Sequence, residues 1–211
     1  MEAFAVLTGD IVASRSASSD SVEAAMDVLR RAAKDFGSTW SEDLRFTRHR
    51  GDGWQVVVSD PHRVLHAMLF LRARLIAAGL GLDTRISAGI GSVESLGSTD
   101  LADATGRAFF VSGDHLDQAG KRLMLIAGDG IGVWQNAVLR LAEQVMRRWS
   151  PAQAEAAALS LLGETTQEEI ASHLGITRQA VQLRLAASGV ASLDEALHAF
   201  ATHDFTEAAP R

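Results

Sequence analysis

The 211-residue chain has no cysteine. Disulfides, cysteine zinc sites and thiol nucleophiles are therefore excluded. The N-terminus, MEAFAVLTGD, has no basic stretch and no long apolar run, so no secretory signal is expected there. No apolar stretch approaches the roughly 20 residues that span a bilayer. A soluble, cytoplasmic protein with no membrane partner is expected. The chain shows no internal repeat and no low-complexity segment. Positive charge is scarce: 20 Lys and Arg stand against 26 Asp and Glu, a net charge of −6. That balance disfavours nucleic-acid binding through a broad basic surface. What remains is an ordinary globular composition, 47% apolar, long enough for one sizeable domain and a small one.

The most specific stretch is TTQEEIASHLGITRQAVQLRLAASG, from Thr165 to Gly189. It reads as a helix-turn-helix. Thr166 is a candidate N-cap, with Glu169 completing a capping box. Ile170, Ala171 and Leu174 mark one face of a short helix. Gly175 supplies a turn that needs positive φ. Thr177 caps a second helix carrying Val181, Leu183 and Leu185. In this motif the second helix leads into the DNA major groove with its N-terminal end. That end offers Thr177, Arg178, Gln179, Gln182 and Arg184, side chains able to reach phosphates or base edges. The plainer alternative is a helical hairpin buried in a core. Glu155, Glu164, Glu168 and Glu169 outnumber Arg178 and Arg184, so phosphate contacts per subunit would be few. A dimer on double-stranded DNA is expected for that reason. Residues 150–189 resemble the DNA-binding helix-turn-helix of bacterial transcription regulators.

Along the rest of the chain, the run from Ala3 to Leu7 predicts a buried strand. Spacing predicts a helix from Ser21 to Phe36 and a loop from Gly37 to Asp43. Two strands follow, Leu44 to Arg50 and Trp54 to Ser59, joined by Gly51-Asp52-Gly53 as a hairpin. Pro61 opens a helix ended by Gly79 to Gly81. Thr84 to Val93 predicts another strand. This βαββαβ order is the ferredoxin-like, split βαβ pattern. A polar loop, Ser95 to Thr105, leads to a partly helical Gly106 to Arg122, interrupted near Gly113. A further strand spans Leu123 to Ala127.

The fold class is thus α+β, a ferredoxin-like domain at 1–130 followed by a small all-α module. Residues 131–149 form a connecting helix, with Trp134, Val138, Leu141, Val145 and Arg148 at a and d spacing. It either pairs subunits or packs on its own domain. Residues 150–200 are the helix-turn-helix domain, with a short helix at Ser192 to Phe200. Residues 201–211 are expected to be a flexible tail.

Two carboxylates end up near neighbouring strands. Asp10 follows the first strand, and Asp52 sits in the hairpin. Such a pair suits Mg²⁺ together with phosphate oxygens, although Asp beside Gly is also an ordinary turn residue. Ser14 and Arg15 read equally as phosphate contacts or solvated loop. His62 and His66 are four apart but lack a third ligand for zinc. Trp54 and Trp134 read as core.

The segments TGDIVASR, RHRGDGW and TRISAGIGSVE, in that order, resemble the motifs of the class III nucleotidyl cyclase domain over residues 3–127. The start is also similar to that of the small SatD-like proteins. The resemblance implies that Asp10, Ile11 (through its carbonyl) and Asp52 hold Mg²⁺, that Arg48 stands at the purine-selecting position, and that the domain dimerises around a nucleotide. The departures are as informative. The family's GDxVNxAAR pattern is GDHLDQAGKR here, so Asp117 replaces its Asn and Lys121 its Arg. Phe110 stands where a base-reading Asp or Thr belongs. Lys cannot reproduce the bidentate grip of Arg, and positioned charge carries phosphoryl-transfer catalysis. The expected function is therefore a DNA-binding regulator whose catalytically degenerate cyclase-like domain dimerises and binds a nucleotide or related small-molecule effector through Arg48, Asp117 and Lys121. The alternatives are an active, divergent nucleotidyl cyclase or other metal-dependent nucleotide-processing enzyme, and an adaptor that does not touch DNA.

Overall fold

In the computed structural model, which describes residues 3–49, 51–163 and 165–205, β1 (Phe4–Val12) is the middle of a five-stranded sheet. Its flanks are β3 (Gly53–Val58) and β4 (Asp83–Gly91), both antiparallel to it. β2 (Thr47–Arg48) adds to β3, and β5 (Met124–Gly128) adds parallel to β4. The spatial order is β2-β3-β1-β4-β5. Eight α-helices occur among the described residues, and none of them is long and apolar enough to cross a membrane.

Strand alternation divides the sheet into two faces. Ala5, Leu7 and Ile11, with Trp54, Val56, Val58, Ile86, Ala88 and Ile90, meet α1 (Ser19–Trp40) and α2 (Val64–Ala77). On the other face, Val6 and Val57 pack with Leu101 and with Ala108 of α3 (Arg107–Asp117). Glycines permit both approaches. Gly9 lies opposite Trp54, and a Cβ there would strike the indole and the Arg85 carbonyl. A Cβ on Gly89 would strike the Ala108 carbonyl and lie 2.6 Å from the Ser112 amide nitrogen.

After β5 the chain forms α4 (Val133–Met146) and α5 (Pro151–Leu162). Ser150 caps α5, accepting from Gln153 N at 3.3 Å, while Ser150 N donates to Gln153 Oε1 at 2.9 Å. α5 lies against α2, and Ala154, Ala157, Ala158 and Leu161 join the main core. Next come α6 (Gln167–Leu174), α7 (Arg178–Ser188) and α8 (Asp194–Ala201). Thr166 and Glu169 form the expected capping box: Glu169 N donates to Thr166 Oγ1 at 3.3 Å, and Thr166 N donates to Glu169 Oε2 at 2.7 Å. Gly175 turns the chain at φ 65°. Ile170, Ala171 and Val181 make a small core of their own, touched by Leu159, Leu174, Ile176 and Leu185.

Several expectations are corrected. The strand expected over Leu44 to Arg50 reduces to two residues, and Arg50 lies outside the described residues. Arg45 adopts φ 45°, which breaks the extended run, and its Nη1 donates to the carbonyls of Leu96 and Gly97. α1 runs through Gly37 to Trp40, because Gly37 is buried where only a glycine clears the Glu42 carbonyl. α3 is unbroken at Gly113, which is simply an interior helical position in open space.

Further corrections concern the C-terminal helices. α4 ends at Met146, so Arg148 lies beyond it, and the buried side is Gln135, Leu139, Ala142, Glu143 and Met146. Trp134 is 38% exposed, edge-on to Phe200, rather than core. Leu183 is 66% exposed; the inward face of α7 is Val181, Leu185 and Ser188 instead. Within the expected flexible tail, His203 and Phe205 are held in place: Phe205 is buried and His203 Nε2 donates to the Gly130 carbonyl at 2.7 Å. Residues 206–211 of that tail, and Glu164, lie outside the described residues.

The two glycines make a test of the close approach of α3. Gly89→Ala should lower stability by roughly 1–3 kcal/mol through overpacking. Gly113→Ala should raise it by about 0.5–1 kcal/mol. Urea midpoints of the two variants would check this; equal midpoints would mean α3 does not sit tightly on β4.

Candidate functional site

The register of three strands sets the site. Asp10 pairs across the sheet with Gly53 on one side and Arg85 on the other. Gly51, at φ 69°, closes the hairpin that carries Asp52 next to Gly53. Asp10 and Asp52 therefore come together at one end of the sheet. A cleft of about 610 Å³ opens there, lined by Asp10, Ile11, Arg15, Asp52, Arg85 and Lys121 among others.

Arg85 was not singled out from the sequence. It sits inside TRISAGIG, and only its register opposite Asp10 gives it a role. Its Nε donates to Asp10 Oδ1 at 2.9 Å and its Nη2 donates to Asp10 Oδ2, a bidentate pair. That hydrogen bond holds the Arg85 pKa above the ordinary guanidinium value. The Asp10 main chain is fixed as well: Thr84 Oγ1 donates to the Asp10 carbonyl at 2.7 Å and accepts from Trp54 Nε1 at 3.0 Å. Arg15 and Lys121 line the same cleft with no ion pair among the described residues. The Lys121 turn is anchored from below, where the buried carboxylate Glu143 of α4 accepts from Leu123 N at 3.1 Å and Met124 N at 2.8 Å.

The remaining expected ligand residues lie elsewhere. Arg48 bridges the hairpin to α1, donating to Glu23 Oε2 at 2.7 Å and to the Gly51 carbonyl at 2.9 Å. The Glu23 hydrogen bond raises the Arg48 pKa and lowers that of Glu23. Asp117 lines a different cavity, together with Phe110, which is 73% exposed.

For a cation, the donor set near Asp10 is two carboxylates and the Ile11 carbonyl. No group of three or more His, Asp or Glu fit to hold a metal occurs among the described residues. Two carboxylates fit Mg²⁺ when phosphate oxygens complete its shell. Here Arg85 donates one hydrogen bond to each Asp10 oxygen and offsets its charge, so Asp10 is a stronger cation ligand when that guanidinium turns to another anion.

On the C-terminal helices, Arg178, Gln179 and Gln182 are exposed together on α7. Arg178 pairs with Glu168 at 2.9 Å. Thr177 uses its hydroxyl as the α7 cap, accepting from Ala180 N at 3.2 Å. Arg184 stands apart from them, paired inward to Glu155 of α5 at 3.3 Å. Arg147 and Arg148, exposed just past α4, were not expected to stand beside the helix pair; they are near α7, because Trp149 Nε1 donates to the Ser188 carbonyl at 2.7 Å.

No protein-family model matches the chain, and no curated protein matches it. Among solved structures it is similar to the active GGEEF domain of a diguanylate cyclase from Vibrio cholerae. The two are 20% identical, over 59% of this chain and 83% of that one, with a TM-score of 0.39, a likeness too weak to carry any inference about this chain.

His62 and His66 do not form a metal pair. His62 Nδ1 bonds Asp60 Oδ1 at 2.8 Å, while His66 packs on Trp40 where α2 meets α5. Burial, then the charge of Arg63, pushes the His66 pKa below its ordinary value, against a smaller opposing effect from the Leu161 backbone. A histidine kept neutral by folding contributes stability that is full above its unfolded pKa, about 6.5. That stability is lost as pH falls through the window down to the depressed folded value. His66→Gln should therefore flatten the fall in urea midpoint between pH 7 and 5; parallel slopes for both proteins would sink this assignment.

Proposed function

We propose that the chain is a DNA-binding transcription regulator whose N-terminal domain is a ferredoxin-like, cyclase-type domain that binds a phosphate-bearing nucleotide with Mg²⁺. The observation that carries this reading is the convergence of Asp10, Asp52, Arg15, Arg85 and Lys121 on one open cleft. The βαββαβ order with β2-β3-β1-β4 adjacency supports the domain assignment. Cations one more in number than the carboxylates suit a phosphate chain that brings its own divalent ion. Asp10, Asp52 and the Ile11 carbonyl would hold that ion; Arg85, released from Asp10, would take a phosphate together with Arg15 and Lys121.

The DNA-binding half of the proposal rests on α6 and α7 as a helix-turn-helix. Arg178, Gln179 and Gln182 share its outward face, and Arg147 and Arg148 add positive charge near the far end of α7. The acidic surroundings still demand two copies on one DNA, so the acting species is a homodimer. α5 touches both α2 and α7, and Glu155 grips Arg184, so α7 is built onto the nucleotide domain through packed helices. A ligand shifts such an assembly only by binding one arrangement better than the other.

The same cleft also favours a second reading, a metal-dependent enzyme acting on a nucleoside triphosphate, since both expected metal carboxylates line it. Against that stand Lys121 in place of Arg and the absence of Asp117 from the lining of the cleft.

Thermal unfolding with mono-, di- and triphosphates, with and without Mg²⁺, tests the binding reading. A nucleotide at 100 times its dissociation constant should stabilise the protein by about 2.7 kcal/mol. The gain should vanish in Asp52→Ala and Lys121→Ala. Binding to DNA, followed by fluorescence anisotropy, should respond to that nucleotide and be lost in the Arg178→Ala, Gln179→Ala double variant. No shift with any nucleotide rejects the sensor. A cyclic product from ATP or GTP with Mn²⁺, absent in Asp52→Ala, would favour the enzyme.

A further inference from the structure

A second cavity, of about 420 Å³, lies on the same face of the sheet as the cleft. Its floor is Thr8, Gln55 and His49, and its walls are residues 101–106 and α3. Thr8 and Asp10 are two residues apart on β1, roughly 7 Å along the strand. The wall opposite α3 is held in place: Leu101 N donates to Thr47 Oγ1 at 2.9 Å, and Ser95 pairs with Thr105.

The floor is a hydrogen-bond chain whose direction can be assigned. Ser112 Oγ donates to the Phe109 carbonyl at 3.0 Å, so its contact with Thr8 Oγ1 at 2.7 Å has Thr8 as donor. Thr8 in turn accepts from Gln55 Nε2 at 2.9 Å. The Gln55 amide oxygen can only accept, so His49 donates to it from Nε2 at 2.8 Å. In neutral His49 the proton is therefore on Nε2, and Nδ1 is an acceptor. Asp114 and Asp117, one turn apart on α3, line the cavity with no ion pair among the described residues. Leu101, Phe109, Phe110 and Leu116 supply flat apolar surface. The cavity thus offers acceptors and negative charge around an apolar slot, and no Lys or Arg lines it.

We propose that this cavity is a binding site for a small, planar, donor-rich organic cation, such as an amidinium or a protonated amino-heterocycle. Its ring lies against Phe110 and Leu116, and its N–H groups meet Asp114, Asp117 and His49 Nδ1. Cation–π attraction to the exposed Phe110 ring acts in the same direction. The site does not rest on the nucleotide reading, because its chemistry is the opposite: the carboxylates that favour this ligand repel phosphate.

Three isosteric probes test it on the full chain by titration calorimetry, in buffer with EDTA. Benzamidine is a planar cation, benzamide its neutral counterpart and benzoate its anion. Benzamidine should bind more tightly than benzamide, and benzoate should not bind. The Asp114→Asn, Asp117→Asn double variant changes only exposed side chains. It should keep the wild-type melting temperature and lose about tenfold in benzamidine affinity, as two partly screened ion pairs imply. Equal binding of all three probes, no binding of benzamidine at millimolar concentration, or an unchanged affinity in the double variant would each overturn the proposal. None of the probes carries phosphate and no metal is present, so failure here leaves the nucleotide reading standing, and the reverse holds too.

Discussion

Everything in this fold leans on α2, a helix buried on nearly every side. Val64, Leu65, Ala67, Met68, Leu69, Phe70, Leu71, Ala73 and Leu75 are all at or near zero exposure. A helix on a solvated sheet would show one apolar stripe and one polar face. α2 is apolar all round because the sheet and α1 cover it from one side and α5 from the other. Each large side chain so enclosed contributes about 1.5–3 kcal/mol. Among its fully buried side chains the polar one is Arg72, at 1% exposure, which donates to both oxygens of Asp83 at 2.9 and 2.8 Å. A buried guanidinium left without its partner typically costs 3–5 kcal/mol. The start of β4 is thereby locked to α2, and Thr84 and Arg85 follow directly from it.

That lock places the chemistry. Asp83 Oδ1 also accepts from Thr84 N at 2.8 Å, and Thr84 reaches the Asp10 carbonyl. Arg85, the next residue, points to the opposite face and holds the Asp10 carboxylate. The charged end of the cleft is thus positioned by a helix on the far side of the sheet. α5, packed on that same helix, leads into α6 and α7. The two halves of the chain share one hydrophobic core.

The order of strands and helices was legible because periodicity and Gly punctuation agree along the first 130 residues. The caps at Thr166 and Thr177 and the turn at Gly175 were legible because they are local chemistry. The nearness of Asp10 and Asp52 was legible only through the expected strand order, since it depends on β1 pairing with β3 across α1 and β2. Arg85 was not, since its meaning lies in a partner 75 residues away and in register, which no local pattern encodes. Arg45 breaks an otherwise strand-like run through carbonyls more than 50 residues distant. α5 was not resolved as a helix: Ala154, Ala156, Ala157 and Ala158 give no apolar stripe, yet their small size is what lets α5 close on α2. Leu183 misled for the converse reason, because an apolar residue on a helix need not face inward.

The placement of Asp117 changes the meaning of the sequence comparison. Read along the chain, an acidic residue in place of the cyclase Asn, four residues before Lys121, promises repulsion beside a phosphate. In the fold the two residues part. Lys121 turns into the cleft with Arg15 and Arg85, while Asp117 faces the second cavity with Asp114 and His49. α3 and its following turn thus place Lys121 and Asp117 on the linings of different cavities, while the Asp117 charge still acts on Arg85 across the sheet face. Thr8 and Gln55 lie between them as neutral, mutually hydrogen-bonded groups. The acidic residue at this position thus belongs to the wall of the second cavity, within electrostatic reach of Arg85, and not to the lining of the cleft.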